Sequence, residues 1–523
     1  MKTASTIIIF LCAILTAKLF AQAPAPSWQY VDGTSTGLFY STIQTSDGGM
    51  LAVGYTIGPQ HGPDSLDQEG YHYGTIGYYE EAWVVKRSST GALDWGHCYG
   101  GTNGSSEALT VCQSPDGGFV IGGWSEASNY DVPSNNGYED MWYFKIDSVG
   151  NIVWKKSFGT FAGVEQVNGL TPIDGGGYLL SGEYFAYQDI VMKLNESGDT
   201  VWTRTYHPAN YQGYAEKSIQ LPDGGFIIAE SLYDYFGLDN PYYTLTRIDS
   251  SGSKLWQKTI HLDSSAEQSV CDFVRCSDGG YALSGYIQGV VGGVVYFPEI
   301  FVMRCDSSGN FDWEKTYGTS GYDFGYTILQ DADDNLLVGG YVETADTTFP
   351  QHNSQAYLLK LNNNDGSEIW FETYPEQAFS FNDGLSSFHH IVKTSGGGIM
   401  AAGQYNCGHG YSLDNQCSYT GGIEGYMVRF PDLGAGISNL ADLSSGVIIY
   451  PDPVSDQVNL EITQPKVFPL ELRIFNDEGQ QMISEKLISA QQSVNVQSLP
   501  AGIYLVRLMS NNSEVAHLPF IKE

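Results

Sequence analysis

The sequence predicts an all-β protein: a seven-bladed β-propeller followed by a small Ig-like β-sandwich. Two recurring marks and one break in pattern carry this reading. An Asp-Gly-Gly turn recurs between apolar runs, a tryptophan recurs at a fixed distance after a second turn, and both marks stop after Phe430. The composition agrees. Glycine (62) and tyrosine (36) are abundant and only 16% of residues are charged, which suits short strands and tight turns rather than helices.

The first mark stands at Asp47, Asp116, Asp174, Asp223, Asp278, Asp334 and Gly396, seven times in all. Asp-Gly between apolar runs is a strong hairpin signal, because glycine tolerates the positive φ of the turn. Asp331, Asp333 and Asp334 superficially suggest a calcium loop, but they occupy the degenerate copy of this turn. In the second mark, a strand ending in a basic or polar residue is followed by a turn and then by Trp154, Trp202, Trp256 or Trp313. Trp95 and Trp370 follow Gly91 and Gly366 at the same offset. Each unit therefore holds four strands, and repeats of this size indicate a propeller. The last repeat stops after its third strand (425–430), while Trp28 precedes any first strand. A strand at Trp28 completes the last blade and leaves no bare sheet edge.

The full spacing Asp-x-x-Gly-x-x-x-Trp occurs at Asp147, Asp249 and Asp306, with degenerate copies at Ser88 and Asn195. It resembles the tryptophan-docking motif of quinoprotein-like (delta-60-type) repeat propellers. The resemblance implies a fold. No quinone-binding constellation accompanies it, so no cofactor is expected.

Residues 1–21 read as a secretory signal, with Lys2 as the charged start, an apolar core over 7–15, and cleavage before Gln22. Loss of Lys2 and Lys18 takes the formal net charge from −35 to −37. Such a field repels phosphate backbones and argues against nucleic acid as a partner. No later segment approaches the ~20 apolar residues of a membrane span. Cys12 leaves with the signal, and of the cysteines that remain, Cys407 and Cys417 share one loop and form the candidate disulfide.

The propeller is expected over 22–431 and a small-residue linker over 432–446. Residues 447–523 alternate apolar and polar positions in short runs, as a small sandwich does. Four boxes appear here in order. They are Tyr450-Pro451-Asp452-Pro453-Val454, Leu472-Arg473-Ile474-Phe475-Asn476 with Gly479, Leu499-Pro500-Ala501-Gly502-Ile503-Tyr504, and a tail with Lys522. They resemble the type A C-terminal sorting domain of type IX secretion in Bacteroidetes, with Asp452 where that family has asparagine. The resemblance implies export through the periplasm, handling by the type IX machinery, and delivery across the outer membrane. Removal of the sorting domain then leaves the cargo on the cell surface or free outside.

Two groups of residues could carry chemistry. Long loops after the second strands (56–82, 125–140, 288–299, 343–356, 406–425) gather on one face. They hold Tyr71, His72, Tyr73, Tyr78, Tyr79, Tyr130, Tyr138 and Tyr411. Tyrosine among acidic neighbours suits sugar rings or protein surfaces. Near the entry to the first strands stand Glu107, Glu165, Glu216, Glu267, Asp323 and Asp383. They form either an acidic collar able to hold calcium or a set of turn-fixing acceptors. His389 and His390 are adjacent on a strand, whose alternation sends their rings to opposite faces and makes each a structural histidine. No catalytic signature accompanies these residues. The expected function is a secreted or surface module binding glycan or protein. The alternative is an extracellular carbohydrate-active hydrolase or lyase using the same face.

Overall fold

In the computed structural model the chain divides into two compact units, Met1–Leu433 and Gly434–Glu523. The residues described lie in 24–431 and 447–522, apart from internal segments of which the longest are 58–64, 235–241, 345–352, 375–385, 407–422 and 463–469.

Among the described residues the first unit is all β, built from sheets of four main antiparallel strands in the manner of propeller blades, two of them with added two-residue strands. The first strands are Thr36–Gln44, Ser106–Gln113, Gln166–Pro172, Tyr211–Gln220, Ala266–Arg275, Asp323–Gln330 and Ser386–Lys393. The sheet begun by Ser386–Lys393 takes its fourth strand from Trp28–Val31, which pairs antiparallel with Ile423–Phe430 so that Trp28 faces Arg429.

Each sheet packs face to face on the next, and the last packs back on the first. One apolar cluster joins Leu51, Val53 and Val84 to Phe119, Ile121 and Trp142. Another joins Phe39, Met50 and Trp83 to Met400, Ala402 and Met427. Sheets covered on both faces explain why a strand such as Met50–Ile57 opens on a continuous apolar run, with Met50 to Val53 fully buried.

Two contacts recur between and within sheets. The outer-strand tryptophan docks on the next sheet's second turn: Trp28 Nε1 donates to Ser89 O (3.2 Å), Trp95 to Ser148 O (3.2 Å), Trp154 to Glu196 O (3.2 Å) and Trp313 to Asn363 O (3.1 Å). The rings lie over turn glycines such as Gly198 and Gly252, where any Cβ would collide with the indole. Within sheets, the basic residue closing the third strand pairs with the carboxylate of the first turn. Lys86 meets Asp47 at 2.7 Å, Lys145 meets Asp116 at 2.5 Å and Lys360 meets Asp331 at 2.7 Å. At the degenerate turn, Asp331 caps the Asp333 and Asn335 N–H groups while Asp334 takes φ 63° in glycine's place.

The second unit has one sheet of Val447–Tyr450, Gln457–Ile462 and Gln491–Asn495, and another of Leu470–Asn476, Gln481–Leu487, Gly502–Ser510 and Ser513–Lys522. They enclose a core including Val458, Leu460, Leu472, Ile474, Tyr504, Val506 and Phe520.

Candidate functional site

Every first strand carries one β-bulge, always at the same place. The extra residue is Tyr40, Leu109, Asn168, Glu216, Cys271, Tyr326 or His389 in successive sheets. A bulge redirects one side chain out of the strand's alternation. All of these residues line a single cavity of about 500 Å³. A position demanded by the backbone keeps its residue type around a repeat, as the turn glycines and docking tryptophans do. This position instead carries a different chemistry in almost every sheet.

One arc of the cavity is aromatic. The His389 ring stacks on Tyr326 (centroids 5.1 Å, 29°) and meets Tyr40 edge-on (5.9 Å). Tyr326 continues to Tyr341 (5.7 Å), which stacks on Phe324 (4.9 Å). His389 Nε2 is buried without a hydrogen-bond partner. Burial pushes this imidazole down to about 4, so it is neutral at pH 7. Burial likewise takes His390 to about 4, and its Nδ1 sits against Thr42 of the first sheet, 3.2 Å from N and 3.0 Å from O. The bulge at His389 breaks the strand alternation expected from the sequence, so both histidines line the same cavity.

Acidic groups stand on and beside the same cavity wall. Glu216 accepts from Ser231 Oγ at 2.7 Å, and burial with the nearby Glu183 carboxylate pushes it up to about 7. Just outside the lining residues, burial and the neighbouring Glu80 push Glu107 up to about 8, and the Tyr40 hydroxyl donates to it. Glu183 rises to about 7 through burial and the charges of Glu139 and Glu165. Cys271 is held as a thiol, its pKa raised to about 12 by burial and by Glu216, so it is no nucleophile. Lys217 is spoken for: it pairs with Asp272 at 2.6 Å, and Asp272 also accepts from Ile328 N and Thr327 Oγ1.

The residues singled out from sequence fall unevenly. Tyr79, Tyr130 and Tyr138 are exposed, Tyr130 at 67% and Tyr138 at 70%. His72 and Tyr73 form a short strand whose His72 lies parallel to His97 at the edge of the first sheet. Tyr71, Tyr78, Tyr411, Asp383, Cys407 and Cys417 lie outside the described residues. Among the described residues the carboxylates do not share one strand position. Counted from the bulge, Glu216 is the bulge itself, Glu107 lies two residues before it, Glu165 and Asp323 three, and Glu267 four. Asp323 behaves as a turn-fixing acceptor, taking the Thr319 hydroxyl (3.1 Å) and the Thr319 and Glu343 N–H groups. Glu165 accepts from Thr160 Oγ1 at 2.7 Å, and its other oxygen is buried without a partner. Among the described residues no group of three or more His, Cys, Asp or Glu side chains could hold a metal ion. Cys112, Cys271, Cys276 and Cys305 are free thiols.

In the second unit, Tyr450 ends a strand and Gly502 begins one. Tyr504 is buried, stacks on Phe520 (5.5 Å) and donates to Pro500 O at 2.9 Å. Lys522 bridges to Val454 through the backbone. Pro451, Pro453 and Gly479 lie outside the described residues.

Residues 448–522 match the Secretion system C-terminal sorting domain family. This makes the chain cargo of the type IX route, carried out to the cell surface or beyond. No curated protein matches the chain. Among solved structures, it is similar to PorZ, a surface component of the type IX secretion system of Porphyromonas gingivalis. The TM-score is 0.44 and the identity 12%, covering 93% of this chain and 59% of that one, so the chain spans well under two thirds of its length. A PL25 ulvan lyase aligns with TM-score 0.46 and 8% identity over 77% of this chain and 96% of its own. A protein of unknown function from Dyadobacter fermentans aligns with TM-score 0.39 and 11% identity over 78% and 99%.

Proposed function

We propose that this chain is an exported binding protein whose ligand enters the cavity ringed by the bulged residues. On this reading residues 1–21 are a cleaved leader and 22–431 a seven-bladed propeller closed by Trp28–Val31. Residues 432–446 are a linker, and 447–523 an Ig-like sorting domain read by the type IX machinery after passage through the periplasm. The ligand is an extracellular glycan or a protein segment.

The single observation that carries the reading is the bulge ring. The same backbone irregularity in every first strand aims Tyr40, Asn168, Glu216, Tyr326 and His389 into one cavity. Its volume of about 500 Å³ lies within the ~300–1,000 Å³ of small-ligand sites. The exposed Tyr130 and Tyr138 belong to the loops after the second strands and would extend contact beyond the cavity.

A glycosidase needs two carboxyl groups ~5 Å or more apart so that the sugar or a water fits between them. Glu107, the acid raised furthest, has Glu80 as its immediate neighbour, too close for the two to act as such a pair. A glycan-array screen with product analysis on every hit tests this. Hits that disappear in Tyr326→Ala and His389→Ala without product formation support it. Hits untouched by both substitutions, or turnover of a bound glycan, refute it.

A further inference from the structure

We infer that the ligand is a linear glycan several sugars long, laid along a belt of aromatic rings. The belt runs out of the cavity across the sheets begun by Ala266–Arg275, Asp323–Gln330, Ser386–Lys393 and Thr36–Gln44. This rests on the cavity being the ligand site.

The belt is continuous in space. Within the cavity, His389 stacks on Tyr326 and meets Tyr40 edge-on. Tyr40 continues to Tyr55 on the neighbouring strand (6.0 Å). In the other direction Tyr326 meets Phe324 (5.9 Å) and Tyr341 (5.7 Å), and Tyr286 reaches Phe324 from the preceding sheet (4.6 Å). Tyr322 and Phe324 alternate around the buried Asp323 and so share one side of the chain. The Tyr322 ring meets Phe297 at 4.9 Å. Phe297 stands two residues before the strand Glu299–Cys305 and is 53% exposed. The rings cross from sheet to sheet at Phe297–Tyr322, Tyr286–Phe324, Tyr326–His389 and His389–Tyr40, with centroids 4.6–5.9 Å apart.

These rings stand outside the core. All are partly or well exposed, and the tyrosines and phenylalanines among them are separate from the apolar clusters that join the sheets. Aromatic area left half in water and gathered in one place marks a binding surface. The belt also follows only one side of the cavity. The bulge supplies a ring at Tyr40, Tyr326 and His389, whereas Leu109, Asn168, Glu216 and Cys271 supply none. A one-sided track leading from the cavity out to Phe297 fits an extended ligand better than a compact one.

Spacing then chooses between a sugar chain and a peptide. A proline-rich segment docks by seating residues that recur about every 9 Å in separate clefts between rings. Rings in mutual contact at 4.6–6.0 Å close such clefts and present one apolar strip. Sugar rings, apolar on their faces and hydroxylated at their edges, lie along such a strip. The tyrosines that dominate it offer both an apolar face and a hydroxyl to each sugar.

Calorimetric titration of the full chain tests this, using disaccharides, tetrasaccharides and octasaccharides from cellulose, laminarin, mannan and polygalacturonate, and a proline-rich peptide. In a series that binds, affinity should rise roughly tenfold or more from disaccharide to octasaccharide, since each added sugar gains an aromatic contact. Phe297→Ala and Tyr322→Ala should each weaken the octasaccharide about three- to tenfold and leave the disaccharide unchanged. Tyr326→Ala should weaken every length. Melting curves establish that the variants are folded, and the exposed Phe297 alone suffices for the outer end. Equal affinity at all lengths, or a length dependence that neither outer substitution touches, overturns the belt while leaving the cavity reading intact, provided Tyr326→Ala abolishes binding. Tighter binding of the peptide, or no binding in any sugar series, also overturns the inference. If binding is indifferent to Tyr326→Ala, the cavity reading falls with it.

Discussion

Replacing Glu216 by glutamine should stabilise the propeller at alkaline pH and leave it unchanged in acid. Glu216 is raised from 4.5 to about 7 by burial and by Glu183, and it accepts from the Ser231 hydroxyl at 2.7 Å. Below the unfolded value both states are protonated, and the carboxyl costs nothing. As the pH rises towards 7 the unfolded chain ionises freely while the folded one resists, so stability is lost across that window and stays lost above it. At about 1.36 kcal/mol per pKa unit, the shift from 4.5 to about 7 corresponds to about 3 kcal/mol at pH 8. An amide is neutral at every pH and keeps the Ser231 contact. Chemical denaturation of wild type and Glu216→Gln at pH 4.5, 6 and 8 reads the difference directly. Glu183 and Glu107 add to the wild-type slope with the same sign, since both are raised. Wild-type stability that is flat or rising between pH 5 and 8, or a variant that gains nothing at pH 8 over pH 4.5, would refute the reasoning.

Trp154→Ala removes the indole that covers Gly198 and donates to Glu196 O. It should cost about 2 kcal/mol in denaturant melts, less than a fully buried tryptophan because the ring is half exposed. Gly117 holds φ +85° with open space around its Cβ direction. Gly117→Val should therefore destabilise by about 1–2 kcal/mol through backbone strain alone, and Gly117→Asn by less; equal losses for the two would disprove that origin. Asp116→Ala strands the buried Lys145 ammonium and should cost about 2 kcal/mol, whereas the double change with Lys145→Met should recover most of it. Deleting residues 446–523 should leave a folded propeller that accumulates in the periplasm, and fractionation showing normal export would remove the sorting role from this segment.

The scaffold was legible because its marks are local. Asp-Gly-Gly needs a positive φ, and the spacing from Asp147 to Trp154 carries a turn and a docking side chain within eight residues. Trp28 stood outside any repeat, and the structure pairs its strand with Ile423–Phe430. The basic residue before each second turn was visible too. Its role was not, because Lys86 and Asp47 meet across a hairpin whose register no short window contains. The site was the harder part. Their nearness to the entry of the first strands put Glu107, Glu165, Glu216 and Asp323 in one class, yet counted from the bulge they stand at different positions. The bulge leaves no residue signature of its own, since Tyr, Leu, Asn, Glu, Cys and His all occupy it. The only available signal was negative: one strand position at which a regular repeat declines to repeat. The same omission misplaced His389 and His390, whose alternation is broken by that extra residue.

Ligand binding in the bulge-ringed cavity is tested most directly by screening three proteins side by side on one glycan array: the wild type, Tyr326→Ala from the cavity, and Tyr130→Ala from the exposed loop. The cavity substitution should abolish the hits with the melting temperature preserved, and the loop substitution should leave them largely intact. Hits that survive Tyr326→Ala but vanish in Tyr130→Ala would place the site on the loops and contradict the account.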